Sequence, residues 1–261
     1  MKGQFYPSNS AEIEKFITKC VDATSSKIHA KGVILPHAGY IYSGGVAAQT
    51  MSRVIPKKKL IILGPNHSGF GEFFSVYPGG LWRTPMGDIE VDSELVAGII
   101  ERGTEIKKDS LAHKFEHSIE VELPIIKYFF DEFTIVPIVC ATASWDVYKK
   151  VGQQIFEGIK EVRGDVLVIA SGDMTHYEPE AQARKKDSLA IESIVKLDEE
   201  ELIARVKEKN ISMCGVATIP IMLIVTKLMG ATKAEVVKYQ TSGDITGDYS
   251  AVVGYLGAII N

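Results

Sequence analysis

The chemistry available to this chain collects where apolar runs give way to turns. His37 follows the run in ILPHAGY, and His67 follows one in ILGPNHSG. Asp173 and His176 follow VIAS in SGDMTHY, and Asp244 follows VVKYQ in TSGDITGD. Two imidazoles and a carboxylate, His37, His67 and Asp244, form the ligand set of a facial triad. On Fe(II) such a set leaves positions open for substrate and oxygen. The same donors suit zinc with a bound water, and affinity order favours copper at any such site. Ligand types alone do not choose among these metals. Each residue also has an ordinary structural reading. A histidine at a strand end often only packs, aspartate is common in turns, and Asp173 fits an N-cap. Against that, His37, His67 and His176 are three of the six histidines, and all three leave strands where a ligand would bind.

A second constellation is KFEHSIEVELP, residues 114–124. His117 and Glu120 share one face if a helix starts there. Near a helix N-terminus a neutral imidazole is favoured, so His117 could donate a hydrogen bond to a substrate. The alternative is that Glu116 and Glu120 merely complement the helix dipole. His113 reads as a loop residue and His29 as a surface residue; Cys214, beside Gly215, could lie near the site, but reads first as a buried thiol before a helix. The segment YSGGVAAQ has neither the GxGxxG fingerprint nor the P-loop lysine, which argues against a dinucleotide or ATP.

The elements that must position these groups alternate. Short β-branched runs predict strands over 32–35, 60–63, 133–139, 166–170, 235–240 and 251–260. Amphipathic patterns predict helices near 10–23, 44–54, 92–102, 118–130, 145–162, 180–196 and 216–229. Runs such as LIIL and VLVIA read as strands buried on both faces. The pattern gives an α/β fold of one domain, 1–261, with three layers. The central sheet is largely parallel or mixed, and helices cover both faces. Gly254 and Gly257 predict an irregular or edge position for the last strand. In such sheets ligands bind beyond the carboxyl ends of the strands, where His37, His67, Asp173, His176 and Asp244 fall.

Composition narrows the function classes. A chain of 261 residues, 46% hydrophobic and 24% charged, can bury a large core. A net charge of −4 argues against a nucleic-acid partner. No apolar run is long enough to span a membrane, and the start MKGQFYPSNS lacks a signal-peptide core. Three scattered cysteines read as reduced thiols of a cytoplasmic protein.

Taken in order, GQFYPS, LPHAGYIYSG, ILGPNHSG, RTPMGDIEVD, EHSIEVELP, FTIVPIVC, SGDMTHY and QTSGDITGDYSAVVGYLGA resemble the Memo family, including the members called AmmeMemoRadiSam system protein B. The resemblance covers nearly the whole chain. It implies a fold similar to the LigB-type extradiol dioxygenases, which hold non-haem iron on two histidines and a carboxylate. Carried over by motif, it implies His37, His67 and Asp244 as metal ligands, with Fe(II) as the metal and copper or zinc as alternatives. It further implies His176 as an acid/base group, His117 as a second active-site histidine and Asp173 as a group orienting an imidazole. Its implied partners are a radical SAM protein, an AMMECR-type protein and a small-molecule or peptide substrate. Two other functions stay open: a peptide- or phosphopeptide-binding module without turnover, and a zinc hydrolase.

Overall fold

The computed structural model describes residues 1–21 and 26–261. Four runs rich in Val, Ile and Leu make its parallel core. In spatial order they are β1 (Gly32–Leu35), β8 (Val166–Ser171), β2 (Lys59–Pro65) and β7 (Thr134–Cys140). They are buried almost throughout, as strands covered on both faces must be. Beside β1 lie β11 (Val252–Ile260) and then β10 (Ala234–Thr241), both joined through antiparallel ladders. Beyond β7 come β3 (Phe74–Val76) and β6 (Lys107–Lys108). The hairpin of β4 (Leu81–Thr84) and β5 (Gly87–Val91) branches from β7, and β9 (His176–Glu178) pairs with β11. Among the described residues the sheet is therefore mixed, with eleven strands.

Helices cover both faces. Gly32 on β1 lies against Met222 and Thr226 of α8 (Thr218–Leu228), and Gly257 on β11 lies against Thr50 of α2 (Gly45–Ser52). Gly32 pairs with Ile260, three residues from Gly257, so the two glycines face opposite sides. On the α2 side pack α1 (Ser10–Cys20) and α4 (Leu123–Phe129). With α8 pack α5 (Trp145–Ile159), α3 (Ser93–Ile100), α7 (Glu199–Glu208) and α6 (Glu180–Val195). Among the described residues no helix is long and apolar enough to cross a membrane.

Three expectations change. The last strand, β11, is not at an edge but interior, flanked by β10 and β1, while its ladder with β9 is irregular, shifting register between Val252 and Val253. Its glycines mark close packing: a Cβ on Gly257 would sit 2.0 Å from Thr50 Oγ1, and one on Gly254 2.1 Å from Asp187 Oδ2. The helix expected from 118 starts at Leu123, behind a run of turns. Pro124 then falls in the first turn, where its missing N–H is harmless; deeper in a helix it would break a hydrogen bond. The first helix ends at Cys20, and the predicted positions 22–23 lie outside the described residues. Strands β3 to β6, β9 and helix α7 have no counterpart among the predicted elements.

Candidate metal centre

Because β1, β8 and β2 are adjacent and parallel, their carboxyl ends line up along one edge. His37 leaves β1 two residues past its end, Asp173 leaves β8 likewise, and His67 leaves β2 likewise. The segment after Phe115 folds over the same edge. It can press close because Gly64 on β2 has no side chain: a Cβ there would lie 2.5 Å from Ser118 Oγ. That segment delivers His117. One ring nitrogen from each of His37, His67 and His117 lies within 4.8 Å of the others. The His67 and His117 rings stack at 4.9 Å, and both sit near His37, at 5.2 and 5.4 Å between centroids.

The far nitrogens of these rings are already committed. Ser171 Oγ donates to the Ser118 carbonyl at 2.8 Å, so it accepts from His37 Nδ1 at 2.8 Å. Glu116 accepts from His67 Nδ1 at 2.9 Å, and also from the backbone N–H groups of His67, His117 and Ser118. This network leaves Nε2 of His37 and of His67 as the nitrogens available to a metal. Burial opposes the charge on Glu116. The His67 ring and the surrounding N–H groups outweigh it and bring its pKa down to about 2. Burial, and then the charges of its two histidine neighbours, push the pKa of His37 well below the usual histidine range. Burial also lowers His117.

Asp244 does not join this group. Its strand, β10, also ends at this edge, but β11 stands between β10 and β1. Two strand spacings amount to about 9–10 Å. Asp244 lies in the short helix α9 (Gly243–Thr246), and both its oxygens accept from Arg184 Nη2, at 3.0 and 2.8 Å. One of them also accepts from the Thr241 N–H at 2.8 Å. His117, expected at a helix N-terminus, instead sits in a turn beside His37 and His67, where burial lowers its pKa. Among the described residues Asp173 forms no hydrogen bond with an imidazole. Its Oδ1 accepts from the His37 backbone N–H at 2.9 Å, and burial raises its pKa to about 7. The group that orients an imidazole by a carboxylate is Glu116, which the sequence offered only as a helix-dipole partner. His176 stands on β9, where Nδ1 donates to the Ser212 carbonyl at 2.9 Å, and burial lowers its pKa.

Cys214 also belongs to the site. Its Sγ lies 3.4 Å from His37 Nε2 and accepts from the Asp173 N–H at 3.0 Å. Burial, followed by the charge of Asp173, raises its pKa well above the usual thiol range. The contact depends on two glycines: a Cβ on Gly172 would meet Gly215 Cα at 2.7 Å. The only sequence signal was a glycine after each of Ser171 and Cys214, which gave no hint that the two segments touch. Behind His37, Glu122 is fully buried; burial and then Asp173 raise its pKa well above the carboxylate range, so it is neutral. Ser171 Oγ is 3.3 Å from its Oε1.

A mixed α/β sheet with three histidines gathered at the carboxyl ends of its strands defines the class. The chain belongs to the Memo family: residues 1–259 match the family described as Memo-like protein. It is 43% identical over 259 residues to a MEMO1 family protein of Aquifex aeolicus, covering 98% of this chain and 96% of that one. It is 40% identical to a MEMO1 family protein of Methanopyrus kandleri, again covering 98% and 96%. Among solved structures, an uncharacterized protein of Escherichia coli K12, JW3007, superposes with a TM-score of 0.53 at 11% identity, over 88% of this chain and all of that one. That likeness is one of fold.

Proposed function

We propose that this Memo family chain carries a functional metal on His37, His67 and His117, and acts as a non-haem, metal-dependent oxidoreductase on a small molecule or peptide. The observation that carries this reading is the convergence of three ring nitrogens within 4.8 Å. Two of these rings are held from behind by Ser171 and Glu116. Three imidazoles suit iron, copper and zinc. A redox-active ion would supply electron transfer and Lewis acidity in the crevice. The protein's own groups supply the rest. His176 keeps Nδ1 on Ser212 and leaves Nε2 as a proton acceptor for substrate. Asp173 holds the backbone of His37 in place. The Cys214 thiol adds a soft donor beside His37, and an ion that displaced its proton would gain a thiolate ligand.

Two observations favour a second reading, a zinc hydrolase. Three imidazoles are a protein ligand set of catalytic zinc, and a nearby thiol favours zinc or copper over a hard ion. Asp244, held by Arg184, is left out of both donor sets. Elemental analysis of anaerobically purified protein, followed by titration with Fe(II), Cu(I) and Zn(II), separates the readings. Stoichiometric iron supports the oxidoreductase, and stoichiometric zinc the hydrolase. Absence of any stoichiometric, tightly held ion would sink both. Action in the cytoplasm with radical SAM and AMMECR-type partners belongs to the first reading, and co-purification from a native host tests it.

A further inference from the structure

A second cleft, of about 510 Å³, opens beside the β4–β5 hairpin. Its size falls within the usual range for small-ligand sites. Tyr77 and Trp82 line it, with ring centroids 5.7 Å apart at 83°. Between them sits His113, buried, meeting Tyr77 edge-on at 5.3 Å and Trp82 at 6.0 Å. Its Nε2 is tied to the Ser75 carbonyl at 2.9 Å, and burial lowers its pKa to about 4, so the ring is neutral. Three aromatic rings thus meet at right angles and offer faces and edges to a flat guest.

The charges around these rings have one sign left unspent. Arg83 and Lys114 line the cleft and are exposed. Neither forms an ion pair among the described residues. Asp88, opposite Arg83 in the hairpin ladder, does not line the cleft. The one acid in the lining, Glu120, is engaged elsewhere: it accepts from Tyr6 Oη at 2.7 Å and pairs with the Met1 amino group at 3.3 Å. An aromatic lining with two unpaired cations selects a flat, negatively charged guest.

We propose that this cleft binds a small aromatic anion, such as an aromatic carboxylate, through stacking on Tyr77 and Trp82 and charge pairing with Arg83 and Lys114. The site is separate from the three-histidine centre and needs no metal. It approaches that centre through Glu120, whose charge acts on His117.

The test uses indole-3-acetate and its uncharged amide, titrated into nitrogen-15-labelled protein stripped of metal. Of the two tryptophans, Trp82 and Trp145, the indole N–H of Trp82 alone should shift, and saturably, with the acid. The double variant Arg83→Gln/Lys114→Gln alters two exposed side chains and should fold normally. It should weaken the acid about tenfold, as two half-exposed charge pairs would, and leave the amide within about twofold by the same scale. Added salt should weaken the acid alone. An unshifted Trp82, or equal weakening of acid and amide in the variant, would overturn the proposal. So would binding that appears only after metal is restored, because the guest would then sit on the ion. Because the metal-free protein is used, failure of the proposed metal chemistry leaves this result unaffected.

Discussion

At the amino ends of β2 and β7, the Asp92 carboxylate lies between Lys59 and Thr134 and caps α3 through the Leu95 N–H at 2.9 Å. At the carboxyl ends of the same sheet, the Asp173 carboxylate accepts from the His37 backbone, and no cation pairs with it among the described residues. Burial disfavours charge at both places. At Asp92 the lysine and the cap outweigh it, and the pKa falls below the ordinary carboxylate range. At Asp173 burial wins, and the pKa rises to about 7. Glu122 rises and His37 falls for the same reason. One end of the sheet uses charge for stability. The other pushes His37, Asp173 and Glu122 toward uncharged forms and keeps one charge, on Glu116, and a neutral imidazole is the form that takes a metal.

The strongest way to break this comparison is to remove a ligand. His37→Ala should lower metal affinity more than about 100-fold, exceeding the usual loss from a group behind a ligand. Asp244→Ala should change it less than about twofold, since Asp244 is held by Arg184 outside the three-histidine group. Anaerobic calorimetry with zinc and Fe(II) measures both. Comparable losses in the two variants would return Asp244 to the centre. Glu116→Ala comes next. It frees the His67 ring and strips three backbone N–H groups of their acceptor. Metal affinity should drop about 10- to 100-fold, and Glu116→Gln, which keeps an oxygen acceptor, should fall in between.

Much of this arrangement was legible in sequence. Six strands and the exits of His37, His67 and Asp173 followed from runs of Val, Ile and Leu ended by Gly, Pro or Asn, because local pattern fixes local structure. Strand order was not legible, and with it the separation of Asp244 from the three histidines: nothing in QTSGD says that β11 inserts antiparallel between β10 and β1. His117 was singled out for a helix terminus, whereas its place beside His37 and His67 comes from the turn packing on Gly64. Cys214 depended on two segments forty residues apart touching at Gly172 and Gly215, a tertiary contact without periodicity. The short strands β3 to β6 were missed because two- to five-residue runs carry too little pattern to register.

A smaller effect sharpens the contrast through pH. Asp173 has a folded pKa above its unfolded value. Its stability contribution is fully present below pH ~4 and is lost as pH rises toward about 7. In metal-free protein, Asp173→Asn should therefore gain stability relative to wild type between those limits, read by urea unfolding at a series of pH values. A difference that does not grow with pH across that range would mean the carboxylate is charged in the folded state throughout.

The smallest effect lies at the other end of the strands and has the opposite sign. Asp92 has a folded pKa below the unfolded one, so its contribution is present above the ordinary carboxylate range and is lost as pH falls through the folded value. Its worth comes from a cap, a lysine partner that is itself only partly buried, and a threonine hydroxyl. Caps of this kind are worth about 1 kcal/mol, and a partly exposed pair adds at most about as much again. Asp92→Asn keeps an acceptor for the Leu95 N–H but loses the charge on Lys59. It should therefore cost less than about 1 kcal/mol at neutral pH, and Asp92→Ala about 1–2 kcal/mol. The Asn penalty should vanish in acid, once the wild-type carboxylate is itself protonated, while part of the Ala penalty should persist because the cap is gone at every pH. Neither change should alter metal affinity, because Asp92 stands at the far end of the strands from His37 and His67. If Asp92→Asn lost stability equally at acid and neutral pH, the charge on Asp92 would contribute nothing, and the contrast between the two ends of the sheet would rest on Asp173 alone.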